Sequence, residues 1–213
     1  MRVLELFKGS GSITKYYENK PDVEVISLDI LEKYKPDICC DIMTWDYKQY
    51  PVEHFDIIWA SPECKIFSML QNTWVGRKYK DMNHLNEIRK IDSKFINKTI
   101  EIIEYFKPKN YFIENPLHSK IWDFVENKQY LENYINVCYC YFGYEYKKPT
   151  KILTNKSLKN KMCICKGIPK HKINLGSCSK EFLLSKGLEH IDQTSLEQRY
   201  SIPPKLIDYL LYD

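Results

Sequence analysis

Short apolar runs, each closed by turn or acidic residues, dominate the first half of the chain. Val3-Leu4-Glu5-Leu6-Phe7 is broken off by Lys8-Gly9-Ser10-Gly11-Ser12. A largely apolar run ended by glycines predicts a buried parallel strand entering a tight turn. Ser12 then stands where a helix over residues 13–19 would be capped. After the turn Lys20-Pro21-Asp22, the run Val23-Glu24-Val25-Ile26-Ser27-Leu28 predicts a second strand ending at Asp29. Strand, glycine turn, helix and a strand ending in an acid make one βαβ unit.

The alternation continues. Pro36-Asp37-Ile38-Cys39-Cys40-Asp41 reads as a short extended piece ending in an acid, and Phe55-Asp56-Ile57-Ile58-Trp59-Ala60 as a strand running into Ser61-Pro62-Glu63-Cys64. Residues 65–88 are polar and irregular, and their place after that strand suggests a mobile lid. Apolar side chains at Ile91, Phe95, Ile96, Ile100, Ile103 and Phe106 recur at helical spacing, and Lys107-Pro108 ends the helix. Asn110-Tyr111-Phe112-Ile113 is a further strand, ending at Glu114-Asn115-Pro116. Residues 135–142 and 151–154 suggest a late hairpin, and Pro203-Pro204 the start of a final helix reaching Leu210. The expected fold class is α/β: a doubly wound, mostly parallel, Rossmann-like sheet. Three units are expected: a core over 1–155, a small basic lobe over 156–190, and a C-terminal helix over 191–213 that returns to the core.

Composition narrows the class. With 44% hydrophobic and 28% charged residues in 213, the chain can bury a core. No apolar run is long enough for a transmembrane helix, and the start does not read as a signal peptide. A soluble protein of the cytoplasm or of a host nucleus is expected. In that setting the eight cysteines are read as reduced thiols. The net charge of +4 is polarised, because ten lysines and no Asp or Glu fall between Tyr146 and Lys180. Such a stretch is either a solvated loop or a surface that faces a polyanion. Lysine far outnumbers arginine and Ala60 is the only alanine, a bias typical of AT-rich genomes such as those of some viruses and protists.

In doubly wound sheets, ligands gather at the carboxyl ends of the strands. The first tip offers Glu5, Phe7, Gly9, Gly11 and Ser12, with glycines that let a ligand approach the backbone. Asp29, followed by Ile30, stands at the spacing that places a carboxylate on a ribose diol. The third glycine of a pyrophosphate loop is missing, so a nucleoside cofactor such as S-adenosylmethionine fits better than a dinucleotide. Asp41, beside Ile42, is an acceptor for an adenine amino group. The fourth tip, Ser61-Pro62-Glu63-Cys64, carries a cysteine. Free cysteines are most often buried packing residues, but Pro, Glu and Lys65 make a poor core setting here, and Lys65 favours thiolate. Glu114 on the fifth tip is either a carboxylate at the same edge or an acid at a helix start.

Taken in order, Phe7-x-Gly9-x-Gly11, Asp29, Asp41, a Pro-then-Cys loop and Glu114-Asn115-Pro116 resemble the DNA (cytosine-5) methyltransferases. The similarity is closest to short members in phages and large DNA viruses, whose loop reads Ser-Pro-Pro-Cys and whose later strand reads Phe-Ile-Glu-Asn-Pro. Tyr139-Cys140-Tyr141-Phe142-Gly143, the run Lys148-Pro149-Thr150-Lys151, and Tyr200-Ser201-Ile202-Pro203 extend it. The resemblance implies that Cys64 is the nucleophile that adds to cytosine carbon 6. It implies that Glu114 engages N3 and the exocyclic amine, and that a methyl group passes from S-adenosylmethionine to carbon 5. The implied cofactor set is Glu5, Phe7, Gly9, Gly11, Ser12, Asp29, Ile30, Asp41, Ile42, Ser61 and Pro62. A base flipped from duplex DNA needs a basic cleft, for which Asn115, Arg77, Lys78, Lys148 and Lys151 are the candidates.

The chain departs from the family pattern in two places. Glu63 replaces a second proline, and a carboxylate there raises a neighbouring thiol's pKa and repels phosphate. Only about 40 residues separate Lys151 from the C-terminal segment, too few for a large target-recognition domain. Two further classes therefore stand beside the DNA enzyme: a relative that binds DNA or cofactor without turnover, and the same chemistry on RNA. Finally, Cys163, Cys165, His171 and Cys178 form a candidate structural zinc set, against scattered reduced cysteines. Cys39, Cys40, Cys138 and Cys140 read as packing residues.

Overall fold

The computed structural model describes residues 1–165 and 199–213. Seven strands form one sheet in the order β3-β2-β1-β4-β5-β7-β6. They are β1 (Arg2–Leu6), β2 (Glu24–Asp29), β3 (Ile38–Cys39), β4 (Ile57–Ala60), β5 (Asn110–Pro116), β6 (Tyr134–Cys138) and β7 (Pro149–Thr154). The first five run parallel, and β7 is antiparallel to both of its neighbours. Each predicted strand of the first half is present, within one or two residues of its expected bounds. The α-helices among the described residues are α1 (Ser12–Tyr17), α2 (Met82–Asp92), α3 (Lys94–Phe106) and α4 (Pro204–Tyr212). Among the described residues, no helix is long and apolar enough to cross a membrane.

Alternation along the strands divides the core in two. Leu4, Leu6, Ile58 and Ala60 face the layer formed by α3, through Ile96, Ile100, Ile103 and Phe106. Val3, Ile57, Trp59 and Phe112 face α1 and α4, through Ile13, Tyr17, Leu206 and Leu210. Tyr16 on α1 also hydrogen-bonds Asp208 on α4. The strand order reverses direction between β1 and β4, because β2 and β3 lie to one side and β5 to the other. That switch point leaves a crevice at the strand tips.

Two local expectations change. Ser12 does not cap α1. Gly11 occupies the cap position in a left-handed conformation, and the buried Glu5 carboxylate accepts the Ile13 and Thr14 amides at 3.0 Å each. Glu5 does so because alternation along β1 turns it toward the α1 face. The helix expected from Ile91 is instead a pair, α2 and α3, meeting at Ser93, with Ile91 65% exposed. The 3.6-residue period was carried by α3 alone.

The segment after Cys64 is also anchored. Arg89 of α2, only 1% exposed, donates to Ile66 O at 3.1 Å, Ser68 O at 3.4 Å and Asn72 Oδ1 at 2.9 Å. Arg89→Ala strands these acceptors and leaves a cavity, so a loss of about 3 kcal/mol is expected. Urea denaturation measures it, and amide exchange should quicken at residues 66–72. Unchanged exchange there would mean that Arg89 is not the anchor.

Candidate active site

Strand register assembles the site. Leu6 pairs with Ala60, and Ala60 with Ile113. Phe7, Ser61 and Glu114 therefore stand one residue beyond paired positions on three adjacent strands. The chain leaves β1 through left-handed turns at Phe7 (φ 58°), Gly9 (φ 48°) and Gly11 (φ 68°). An added Cβ on Gly11 would sit 3.3 Å from Lys8 Cε, in a conformation that L side chains resist.

Asp29, at the tip of β2, is tied to this turn. Its Oδ2 accepts the Gly9 amide at 2.9 Å and its Oδ1 the Leu31 amide at 2.8 Å. The neighbouring Ile30 is 62% exposed, an apolar surface at the same tip. Asp41 Oδ1 accepts the Met43 amide at 2.9 Å, whereas the Ile42 side chain is buried in the α3-side core. Ser12 Oγ accepts the Ile202 amide at 3.0 Å, which brings the segment before α4 against the glycine turn. Beside the turn lies a cavity of ≈ 460 Å³ lined by Lys8, Gly9, Ser10, Gly11, Thr14, Lys15, Lys33 and Tyr34.

Across the switch point, Pro62 is buried and its carbonyl accepts from the Asn115 side-chain Nδ2 at 2.8 Å. Asn115 thus pins the cysteine loop to β5, and its own Oδ1 is buried without a hydrogen-bond partner. Ser61 Oγ accepts the Trp59 indole N–H at 3.0 Å. Glu114 is 6% exposed. Its Oε1 accepts from the Tyr139 hydroxyl at 3.0 Å and forms an ion pair with Lys148 at 3.5 Å. Lys148 Nζ also lies 4.4 Å from the Tyr139 ring centroid and donates to Arg199 O at 3.2 Å.

Cys64 is half-buried beside this group. Burial pushes its thiol up, the Glu114 charge adds to that, and Lys148 pulls it down; Glu63 contributes least. The larger electrostatic partners are thus Glu114 and Lys148, distant in the chain, and the adjacent Glu63 adds a smaller push in the direction its charge predicts. Glu63 is exposed to water, which screens its charge.

The remaining candidates separate by face. Lys151 pairs with Asn115, whereas Ile152 pairs with Glu114, so alternation turns Lys151 away from Glu114. Its Nζ instead lies 4.4 Å from the Tyr134 ring centroid, and burial lowers its pKa. Arg77 and Lys78 are exposed on the turn after residue 74, where Lys78 Nζ lies 5.2 Å from the Tyr79 ring centroid. Sequence gives Tyr139 no role beyond its place in the aromatic segment 139–142; its contact with Glu114 depends on the register in which its amide donates to Lys148 O at 3.2 Å. Two of the cysteines read as packing residues are otherwise placed. Cys39 is exposed, and the Cys140 sulfur lies within 4.8 Å of those of Cys163 and Cys165. His171 and Cys178 lie outside the described residues.

No family model matches the chain. A probable DNA (cytosine-5)-methyltransferase of Frog virus 3 (isolate Goorha) is 29% identical over 220 residues, covering 99% of both chains. The resemblance to the DNA (cytosine-5) methyltransferases runs the length of the chain. Among solved structures, the Entamoeba histolytica methyltransferase EhMeth matches 88% of this chain at 17% identity, with a TM-score of 0.51. This chain spans 65% of that one. A putative DNA modification methyltransferase from an E. coli prophage matches 72% of this chain and 46% of its own, at 14% identity and a TM-score of 0.49. The fold is a Rossmann-like methyltransferase fold.

Proposed function

We propose that this protein transfers a methyl group from S-adenosylmethionine to carbon 5 of cytosine in DNA, through a covalent adduct on Cys64. The observation that carries the reading is the meeting of Cys64, Glu114 and Lys148 at the switch point, next to the glycine turn. The full-length similarity to the viral relative supports DNA as the substrate.

The residues at the turn suit the cofactor. Gly9 and Gly11 keep the backbone bare of side chains, Asp29 offers acceptor lone pairs for ribose hydroxyls, and the exposed Ile30 offers an apolar face for adenine. Ser12, held to Ile202, places the C-terminal segment along the same turn. When bound, S-adenosylmethionine supplies an electrophilic methyl group on a sulfonium. Cys64 Sγ, as thiolate, adds to cytosine carbon 6, which places electron density on carbon 5. Glu114 hydrogen-bonds the N3 and amine edge of the flipped base. Tyr139 and Lys148 both hold Oε1, which leaves Oε2 for that edge. Once carbon 5 carries the methyl, loss of its proton to a base expels the Cys64 thiolate and restores the ring. Exposed Lys147 and Lys159 lie in the acid-free stretch suited to phosphates.

The raised Cys64 thiol favours a second reading, a protein that binds cofactor and DNA without turnover. Incubation with DNA or RNA and methyl-labelled S-adenosylmethionine, followed by nucleoside mass spectrometry, separates the readings. Labelled 5-methylcytosine from DNA is the expected result. Product from RNA alone would move the substrate, and cofactor binding without product would leave the second reading.

Asp29→Ala removes two charge-assisted acceptors at the turn and the carboxylate proposed for the ribose. A loss of S-adenosylmethionine affinity of about tenfold or more is expected by calorimetry. An unchanged affinity would remove Asp29 from the cofactor set.

A further inference from the structure

We propose that Cys140, Cys163 and Cys165 together bind a zinc ion, which fastens the segment after β7 to the turn after β6. The three sulfur atoms lie within 4.8 Å of one another. Tetrahedral zinc with Zn–S bonds of about 2.3 Å sets its sulfurs roughly 3.8 Å apart, so closure needs movements of at most about 1 Å.

Backbone pairing delivers these thiols. Lys161 runs parallel to the end of β6, its amide donating to Asn136 O at 3.0 Å and its carbonyl accepting from the Cys138 amide at 2.8 Å. The Asn136 amide also donates to Asn160 Oδ1 at 2.7 Å. Two residues beyond Cys138 is Cys140, and two beyond Lys161 is Cys163. The sulfurs of Cys163 and Cys165 both converge on that of Cys140. The intervening apolar residues turn the other way: Met162 is 36% and Ile164 78% exposed. Hydrophobic burial therefore does not hold this segment, and a metal clip would.

The donor set selects the ion. Among the described residues the cluster contains no carboxylate or histidine, and thiolates suit zinc rather than magnesium or calcium. This set differs from the one expected from sequence spacing, since Cys140, distant in the chain, joins Cys163 and Cys165. Cys138 supplies a control. Its sulfur is 3.3 Å from that of Cys140, yet it is fully buried and stands outside the trio. The proposal does not depend on the methyl-transfer reading.

Full-length protein purified under reducing conditions without chelators should carry one zinc per chain, measured by plasma mass spectrometry. Cobalt(II) exchanged into it should show thiolate-to-metal charge-transfer absorption. Cys140→Ser and Cys165→Ser should lose the zinc, while Cys138→Ser retains it. Cys165 is exposed, so its variant keeps the test valid should Cys140→Ser misfold. Wild-type protein that takes up neither zinc nor cobalt would overturn the proposal. So would Cys165→Ser protein that retains wild-type zinc, above all if His171→Ala loses it.

Discussion

Cys64→Ala is expected to abolish methyl transfer, lowering turnover by about 10⁴-fold or more, with little loss of stability. Carbon 5 of cytosine is a poor nucleophile until a group adds to carbon 6, and the Cys64 thiol feels the charges of both Glu114 and Lys148. The thiol is half-buried on a loop, so removing it opens no deep cavity. Glu114→Gln retains shape and removes the carboxylate, and a fall of about 10²–10⁴-fold is expected. Labelled nucleosides quantify both. DNA containing 5-fluorocytosine adds a readout that does not need turnover. Carbon 5 then has no proton to lose, so the wild-type enzyme with cofactor should remain covalently joined to the DNA in denaturing gels, and Cys64→Ala should not. Undiminished methylation by Cys64→Ala would end the covalent mechanism.

The second large effect belongs to Lys148, which acts on stability and on the thiol together. Lys148→Met leaves the Glu114 carboxylate buried without its ionic partner, with only 8% of its side chain exposed. Breaking such a pair costs about 3–5 kcal/mol, and the low end is expected because the Lys148 side chain keeps 21% exposure and Tyr139 still donates to Oε1. The second consequence has a definite sign. Lys148 pulls the Cys64 thiol down and Glu114 pushes it up. Removing the cation should therefore move the midpoint of Cys64 alkylation to higher pH, and Glu114→Gln should move it lower. In the wild type, burial already holds the thiol above its ordinary range, so alkylation should keep rising with pH past the usual thiol midpoint. Iodoacetamide labelling resolved by peptide mass spectrometry follows Cys64 apart from the other cysteines. Urea denaturation gives the stability change. If Lys148→Met altered neither, Lys148 would be a solvated cation that takes no part in the site.

Local sequence determined the framework of this protein. Strand runs such as Val3–Phe7 and the glycine turn between β1 and α1 are short-range features, fixed by side-chain periodicity and by the few residues that tolerate positive φ. The acids at positions 29 and 41 could be placed at strand tips for the same reason. The motif order further marks Cys64 and Glu114 as a pair. Tertiary structure decided what surrounds that pair. Tyr139 and Lys148 reach Glu114 only because β6 and β7 pair in one register, and a shift by one residue would turn both away. The same alternation removed Lys151 from the group, although sequence treats it like Lys148. Glu5 became the partner of α1, Arg89 the anchor of the loop after Cys64, and Cys140 the neighbour of Cys163, each through contacts spanning eight or more residues. Periodicity states which face a residue shares with its near neighbours; which distant residue it meets is set by strand order and register, which no local pattern encodes.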